Sequence, residues 1–147
     1  MTGATTFLRG DGGFGGVAGG APAPHPMPAG AAEVVMDLVT RPEQALYYRL
    51  NGDDNPLHSD PAVAARAGFA RPILHGLCTL GVVTHGLLRA RGYAGALRRL
   101  QLRFSAPVFP GETIRTEIWA DGSFRARVTE RDAVVIDHGL AVWGAES

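Results

Sequence analysis

One long apolar stretch limits the possible fold more than any other part of this 147-residue chain. Residues 73–91 read I-L-H-G-L-C-T-L-G-V-V-T-H-G-L-L-R-A-R, and two arginines stand at the end of the run. The run is longer than a typical strand, and its arginines stand where the helix dipole favours cations. It is too short and too rich in glycine for a membrane-spanning helix of about 20 residues. The stretch therefore predicts a central buried helix that other elements must cover.

Strand patterns fill most of the chain on both sides of this helix. The residues before it include E-V-V-M-D-L-V-T, and those after it include L-R-R-L-Q-L-R-F, T-I-R-T-E-I-W-A, S-F-R-A-R-V-T and A-V-V-I-D-H-G-L-A-V-W. These runs are short, partly alternating and separated by turns such as P-V-F-P-G-E and A-D-G-S. A long helix followed by antiparallel strands predicts an α+β fold with the sheet wrapped around the helix.

A short helix is predicted just before the central one, in D-P-A-V-A-A-R-A-G-F. Asp60 is a good N-cap, Pro61 suits the first helical position, and Gly68 suits the end. Upstream, R-P-E-Q-A-L-Y-Y-R-L predicts a turn that leads into an apolar segment.

The N-terminal residues differ in composition from the rest of the chain. Residues 1–30 contain nine of the 20 glycines and four of the 10 prolines, so no periodic apolar face can form there. We expect an extended arm over residues 1–30 and one domain over residues 31–147, since this length suits a single hydrophobic core.

Charge and hydropathy exclude several classes of function. Lys+Arg and Asp+Glu are equal at 14 each, so no excess positive charge favours nucleic acid or anionic lipid. No apolar run reaches the roughly 18 residues of a spanning helix, and the N-terminus lacks the apolar core of a signal peptide. Cys78 is the only cysteine, which fits a reducing compartment. The sequence predicts a cytoplasmic protein that binds neither nucleic acid nor membrane.

The stretch N-G-D-D-N-P-L-H, residues 51–58, concentrates most of the candidate chemistry. Asp53 and His58 could share a water molecule, with one group accepting its proton and the other donating a proton to a substrate. Asn55 could hold that water or orient a carboxyl, because its amide is both donor and acceptor. Pro56 would stiffen the turn that presents these groups.

Two other interpretations of this stretch remain open from the residues alone. The aspartates and Asn55-Pro56 could be ordinary turn residues, with His58 a polar neighbour of the following helix. A metal site is a weaker alternative, because the order D-D-N-P-L-H-S-D lacks the spacing and central glycine of a calcium loop. No cysteine set for zinc is present either, so we predict no bound metal.

The sequence Y-R-L-N-G-D-D-N-P-L-H-S-D-P, with A-G-F-A-R-P-I-L-H-G-L-C-T-L-G after it, resembles the signature of the MaoC-like (R)-specific enoyl-CoA hydratases. The G-D-x-N-P-x-H core of that signature is intact from Gly52 to His58. The segments F-L-R-G-D-G-G-F-G-G and F-S-A-P-V-F-P-G-E-T also resemble parts of that family. Asn51 is one departure, since the family commonly has a small residue there.

The resemblance implies a single hotdog fold and a catalytic pair, Asp53 and His58, supported by Asn55. Gly76 matches the position whose backbone N–H polarises the thioester carbonyl. This agrees with helix chemistry, because the first turn of a helix offers unpaired N–H groups and the positive dipole end. The implied reaction is reversible hydration of a trans-2-enoyl thioester to the (R)-3-hydroxyacyl thioester, without metal or redox cofactor. The substrate would be an acyl-CoA or an acyl-carrier thioester.

Two rival functions stay open at this point. A hotdog thioesterase would commonly carry a carboxylate on the central helix, but residues 73–91 contain neither Asp nor Glu. A non-catalytic thioester-binding subunit would have no need to keep Asp53, Asn55 and His58 together.

The last two predictions concern the binding of substrate phosphates and the association of subunits. Arg98, Arg99 and Arg103 could bind the phosphates of coenzyme A, since guanidinium suits bidentate phosphate contacts, although a solvated strand face would explain them equally well. The resemblance is to the motif-bearing C-terminal half of double-hotdog hydratases. A lone hotdog leaves a sheet edge and apolar helix surface uncovered, so we expect a homodimer or a heterodimer with a motif-free hotdog partner.

Overall fold

A computed structural model describes residues 23–144 of the chain. Its strands and α-helices are, in chain order, β1 Val34–Val39, α1 Gln44–Tyr48, α2 Pro61–Arg66, α3 Gly76–Ala90, β2 Leu97–Phe104, β3 Thr113–Ile118, β4 Ser123–Val128 and β5 Ala133–Trp143. Two short 3₁₀ turns, Arg49–Asn51 and Pro56–His58, lie between α1 and α2. No helix between residues 23 and 144 is long and apolar enough to cross a membrane.

The five strands form one antiparallel sheet in the order β1-β3-β4-β5-β2. The long strand β5 pairs with β4 on one side and β2 on the other, and both pairings contain register shifts. Such irregularities bend a strand and increase its local twist, which helps a sheet curve around a helix. The helix and the sheet confirm the predicted α+β fold.

Helix α3 packs on the sheet through one face. Its buried residues are Cys78, Thr79, Val83, Gly86 and Leu87. They recur at helical spacing and join the main core with apolar side chains of β3, β4 and β5. Leu77, Gly81 and His85 are exposed on the other side of the helix. The predicted central helix is therefore covered on one side only, because a single five-stranded sheet cannot enclose it.

The central helix begins later than the apolar run in the sequence. Leu74 is extended, and its N–H donates to the carbonyl of Val108 at 2.7 Å. The first hydrogen bond of the helix is from the Thr79 N–H to the His75 carbonyl at 3.0 Å. Tertiary pairing of Leu74 thus delays the helix until Gly76, which places the helix terminus at the protein surface.

The short elements before α3 follow local sequence signals. The carboxylate of Asp60 accepts hydrogen bonds from the N–H groups of Ala62 and Val63 at 2.7 and 3.3 Å, and Pro61 is the first residue of α2. The predicted cap and helix start are confirmed. The predicted turn is present at Pro42 and Glu43, and the apolar segment after it forms α1 and the 3₁₀ turn that follows.

The described end of the N-terminal arm lies against the sheet. His25 hydrogen-bonds to the Ser123 hydroxyl at 2.7 Å, and the Gly30 carbonyl accepts the indole N–H of Trp119 at 3.0 Å. Residues 1–22 lie outside the described part of the chain, so the boundary predicted at residue 30 stays a prediction.

Close contact between α3 and β3 makes Gly86 sensitive to added volume. A Cβ at Gly86 would lie 3.1 Å from the Thr116 hydroxyl oxygen, whereas a Cβ at Gly81 on the same helix would meet nothing within 4 Å. We expect Gly86→Leu to lower the free energy of unfolding by about 1–3 kcal/mol through overpacking. Gly81→Leu is the matched control and should cost nothing, which urea unfolding of both variants would check. Equal losses in the two variants would contradict this account.

Candidate active site

A sharp reversal of the chain exposes the carboxyl group of Asp53. The 3₁₀ turn before it ends at Gly52, whose φ of +100° lies in the left-handed region that favours glycine. Just upstream, the Asn51 side-chain amide donates to the Tyr48 carbonyl at 3.0 Å. Asn51, the departure from the family pattern, therefore stabilises the turn rather than facing the site.

A second 3₁₀ turn carries His58. The Asn55 side-chain oxygen accepts the Leu57 N–H at 3.0 Å, and Pro56 is the first residue of the turn. One imidazole nitrogen of His58, Nδ1, lies 2.8 Å from the Ile73 carbonyl oxygen. Because a carbonyl only accepts, Nδ1 must carry the hydrogen, which leaves Nε2 of the neutral ring free to accept a proton.

His75 joins Asp53 and His58 in one cluster. Its ring is only 1% exposed and stacks on the ring of His58, with centroids 3.7 Å apart and planes tilted by 26°. Its Nε2–H donates to the main-chain carbonyl of Asp53 at 3.1 Å. The ring of Tyr48 contacts the same histidine at a centroid distance of 4.8 Å.

The polar atoms of this cluster are close enough to share a water molecule. One side-chain atom each of Asp53, His58 and His75 lies within 4.8 Å of the others. A chelated metal would need lone pairs that converge on one point, but those of two stacked imidazoles lie in nearly parallel planes. The arrangement therefore suits proton transfer through hydrogen bonds better than chelation.

Burial controls the protonation of His75. Loss of contact with water lowers its pKa below the ordinary value of 6.5, and the neighbouring His58 acts in the same direction. The hydrogen bond to the Asp53 carbonyl opposes this shift without cancelling it. His75 is accordingly neutral at pH 7, with its hydrogen on Nε2.

The N-terminus of α3 supplies a hydrogen-bond donor close to this cluster. No side chain caps the helix, and within residues 23–144 the Gly76 N–H has no backbone or side-chain acceptor. Gly76 is exposed, and a Cβ there would lie 3.5 Å from the ring of Phe104. The ring of Phe104 therefore borders the approach to this N–H.

An apolar groove adjoins the cluster on the side of Tyr48. Its volume is about 490 Å³, and it is lined by Leu38, Val39, Gln44, Tyr48, Cys78, Gly81, Val82 and His85. Burial raises the pKa of the Cys78 thiol, so this sulfur stays protonated at pH 7.

The three predicted phosphate-binding arginines are spread along one strand and do not form a single group. All three are exposed on the edge strand β2, where Arg99 donates to the Gln101 side chain at 3.1 Å. Arg103 directly precedes Phe104 and is therefore at the Gly76 end of the strand. Arg98 and Arg99 are near the other end, about 13–17 Å from Arg103 by strand geometry. Their role as a phosphate site stays a prediction.

The structure places His75 both in the buried core and in the cluster with Asp53 and His58. Tyr48 and Phe104, which border the cluster and the Gly76 N–H, were not predicted to lie there. The only local signal was the position of His75 immediately before Gly76. His85 is exposed and hydrogen-bonds to the Tyr93 hydroxyl at 3.0 Å.

Comparison with known proteins relates most of the chain to one family. The family model described as "MaoC like domain" matches residues 26–142. The chain is 46% identical to 3-hydroxyacyl-thioester dehydratase Y of Mycobacterium tuberculosis, over 96% of this chain and 52% of the relative. It is 40% identical to "Enoyl-CoA hydratase 2, peroxisomal" of Arabidopsis thaliana, over all of this chain and 52% of the relative. The chain thus spans about half the length of these two relatives.

Solved structures show the same fold. The crystal structure of a MaoC-like dehydratase from Phytophthora capsici superposes with a TM-score of 0.84 at 40% identity, over 95% of this chain and 51% of that chain. An (R)-hydratase from A. caviae involved in PHA biosynthesis has a TM-score of 0.60 at 27% identity, over 76% of this chain and 93% of that chain. The predicted hotdog fold is confirmed, and the chain belongs to the MaoC-like dehydratase family.

Proposed function

We propose that the protein hydrates a trans-2-enoyl thioester reversibly to the (R)-3-hydroxyacyl thioester. The observation that carries the proposal is a two-sided site. A pair of proton-transfer groups, Asp53 and His58, lies on one side, and the unpaired N–H of Gly76 lies on the other. The names of the relatives, which include an enoyl-CoA hydratase and an (R)-hydratase, support this reaction and its stereochemistry.

The catalytic pair activates the water. His58 Nε2 is free because Nδ1 is held by the Ile73 carbonyl, so Nε2 accepts a proton as the water oxygen adds to C3. The Asp53 carboxylate, which is exposed beside it, orients the same water. A proton from the pair reaches C2. The product then carries the hydroxyl of the water on C3 and a new hydrogen on C2, and the pair regains its starting protonation.

The helix terminus stabilises the charge that develops on the substrate. As oxygen adds to C3, negative charge moves to the thioester oxygen, where the Gly76 N–H and the positive end of the helix dipole meet it. The apolar groove beside Tyr48 offers the hydrocarbon part of a substrate a surface free of charged groups. Coenzyme A or a carrier pantetheine is the handle of the substrate, with Arg98, Arg99 and Arg103 as candidate phosphate contacts.

Replacing Asp53 should remove the reaction and leave the fold intact. For Asp53→Asn we expect kcat for a trans-2-enoyl-CoA to fall by about a hundredfold to ten-thousandfold, because water loses its carboxylate partner. The measurement is loss of enoyl-thioester absorbance with short, medium and long acyl chains, followed by chiral analysis of the product. Asp54→Asn is the matched control, because Asp54 is the exposed neighbour in the same loop. Unchanged turnover in Asp53→Asn would contradict the proposed pair, and an inactive, well-folded parent would favour the non-catalytic subunit.

The role of the Gly76 N–H can be tested without disturbing the start of the helix. Proline suits the first helical position, and His75 already has φ −59° and ψ 138°, which a following proline requires. We expect Gly76→Pro to fold normally but to lose about a hundredfold to a thousandfold in kcat, because the donor N–H is gone.

Gly76→Ala is the control for this variant, because it keeps the N–H and adds a methyl group at an ordinary contact distance from Phe104. Similar kcat values for the two variants would show that this N–H does not stabilise the reacting oxygen.

We propose further that the active protein is a dimer in which the partner covers strand β2 and the Leu77 end of α3. Strand β2 is an edge of the sheet, and Leu77 and Phe104 beside the site are 64% and 47% exposed. Exposed apolar side chains next to an unpaired edge are typical of an interface. Either a second copy of the chain or a motif-free hotdog subunit would cover this surface.

The compartment stays a prediction, because the peroxisomal location belongs to the name of the Arabidopsis relative.

Light scattering on the purified chain tests the dimer. We expect twice the mass of the chain if the partner is a second copy, because the edge strand and the two apolar side chains become buried. Phe104→Asp should shift the mass toward the monomer, and Val35→Asp, at an exposed residue of the opposite edge strand β1, should not. A monodisperse monomer of the unaltered chain would contradict the homodimer.

A further inference from the structure

We propose that His75 is a positioning residue that holds Asp53 and His58 in register with each other. This inference rests on the proposed function, because it assigns a role to a buried polar side chain that contacts both members of the proposed catalytic pair. His75 itself is not placed to exchange a proton with the substrate.

The contacts of His75 differ for the two members of the pair. Its Nε2–H binds the main-chain carbonyl of Asp53 at 3.1 Å, so it holds the backbone of the loop and leaves the carboxylate free. Its ring face supports the imidazole of His58 at a centroid distance of 3.7 Å, so it limits rotation of that ring about its Nδ1 hydrogen bond. One rigid, buried side chain therefore sets the distance between the two groups.

Packing alone does not explain a histidine here. His75 is 1% exposed, and its Nδ1 is buried without any hydrogen-bond partner in the described structure. An unpartnered buried nitrogen is unfavourable, and an apolar ring of similar shape would fill the same space without that cost. The Nε2–H donor is the property that such a ring would lack.

The role requires a neutral ring. Protonation would place a second N–H at Nδ1, where no acceptor is present, and a positive charge against His58. The charged and titratable groups that face His75 are Asp53, His58 and Arg49, with the phenol ring of Tyr48 against it, and only Asp53 favours a cation. The downward shift of the His75 pKa caused by burial agrees with this requirement.

Two variants separate the two contacts. His75→Phe keeps an aromatic surface under His58 and removes the donor to Asp53. His75→Gln keeps an N–H donor and removes the aromatic surface. Val128→Ala is the control for stability, because it leaves a cavity at a fully buried position in β4 whose strand partners are Ile114 and Ala133.

Kinetics of enoyl-CoA hydration give the first result. We expect kcat to fall by about tenfold to a hundredfold in both His75 variants while KM changes by less than about threefold, because the alignment of the pair is lost and substrate binding is not. Val128→Ala should keep the kcat of the parent. Parental kcat in both His75 variants, or an equal loss in Val128→Ala, would overturn the proposal.

The pH profile gives a result that a structural role would not produce. On the acid side, log(kcat/KM) of the parent should fall more steeply than that of His75→Gln, by about one proton, because nothing titrates at position 75 in the variant. Identical acid-side slopes would overturn the requirement for a neutral ring.

Histidine ring ¹⁵N shifts on the unaltered chain provide a test that does not depend on activity. We expect His75 as the Nε2–H tautomer and His58 as the Nδ1–H tautomer at pH 7, with the His58 signals altered in both His75 variants. A charged His75, or unaltered His58 signals, would overturn the proposal. An inactive parent with these signals in place would instead count against the proposed function alone.

Discussion

The packing of helix α3 against the sheet is the constraint on which the rest of the structure depends. The buried face of α3 packs closely on β1 and β3, so little room remains between Gly86 and the Thr116 side chain. This contact fixes the axis of the helix, and pairing of Leu74 with Val108 fixes where the helix begins. The surface position of Gly76, and with it the position of the N–H that we propose binds the substrate oxygen, follows from these two contacts.

The loop that carries the chemistry is ordered by hydrogen bonds to the main chain. Asn55 binds the Leu57 N–H, His58 binds the Ile73 carbonyl, and His75 binds the Asp53 carbonyl. The Asp53 carboxylate takes part in none of these contacts. A segment that is mostly exposed can therefore hold its reactive groups in place while leaving them accessible to water and substrate.

Much of the fold could be predicted from the sequence, because the signals are local. The cap at Asp60, the proline at position 61 and the alternating strands each depend on residues a few positions apart. The start of α3 could not be predicted, since it depends on a hydrogen bond between Leu74 and Val108, which are distant in sequence. The same holds for His75, whose stacking on His58 joins residues from two separate elements. The exposed side of α3 was missed because it carries Leu77 and Gly81 as well as His85, so no continuous polar stripe marks it.

The hydrogen bond between His58 and Ile73 also sets a spacing. Ile73 holds the imidazole, and Gly76, three positions later, offers the N–H, so a short piece of main chain separates the two sides of the reaction. An insertion or deletion of one residue within it would change that separation by about 3 Å, which is more than a reacting geometry tolerates. Changes of length outside residues 73–76, including in the glycine-rich arm or at a junction with another domain, do not alter this separation. The spacing between Ile73 and Gly76 therefore does not depend on the total length of the chain.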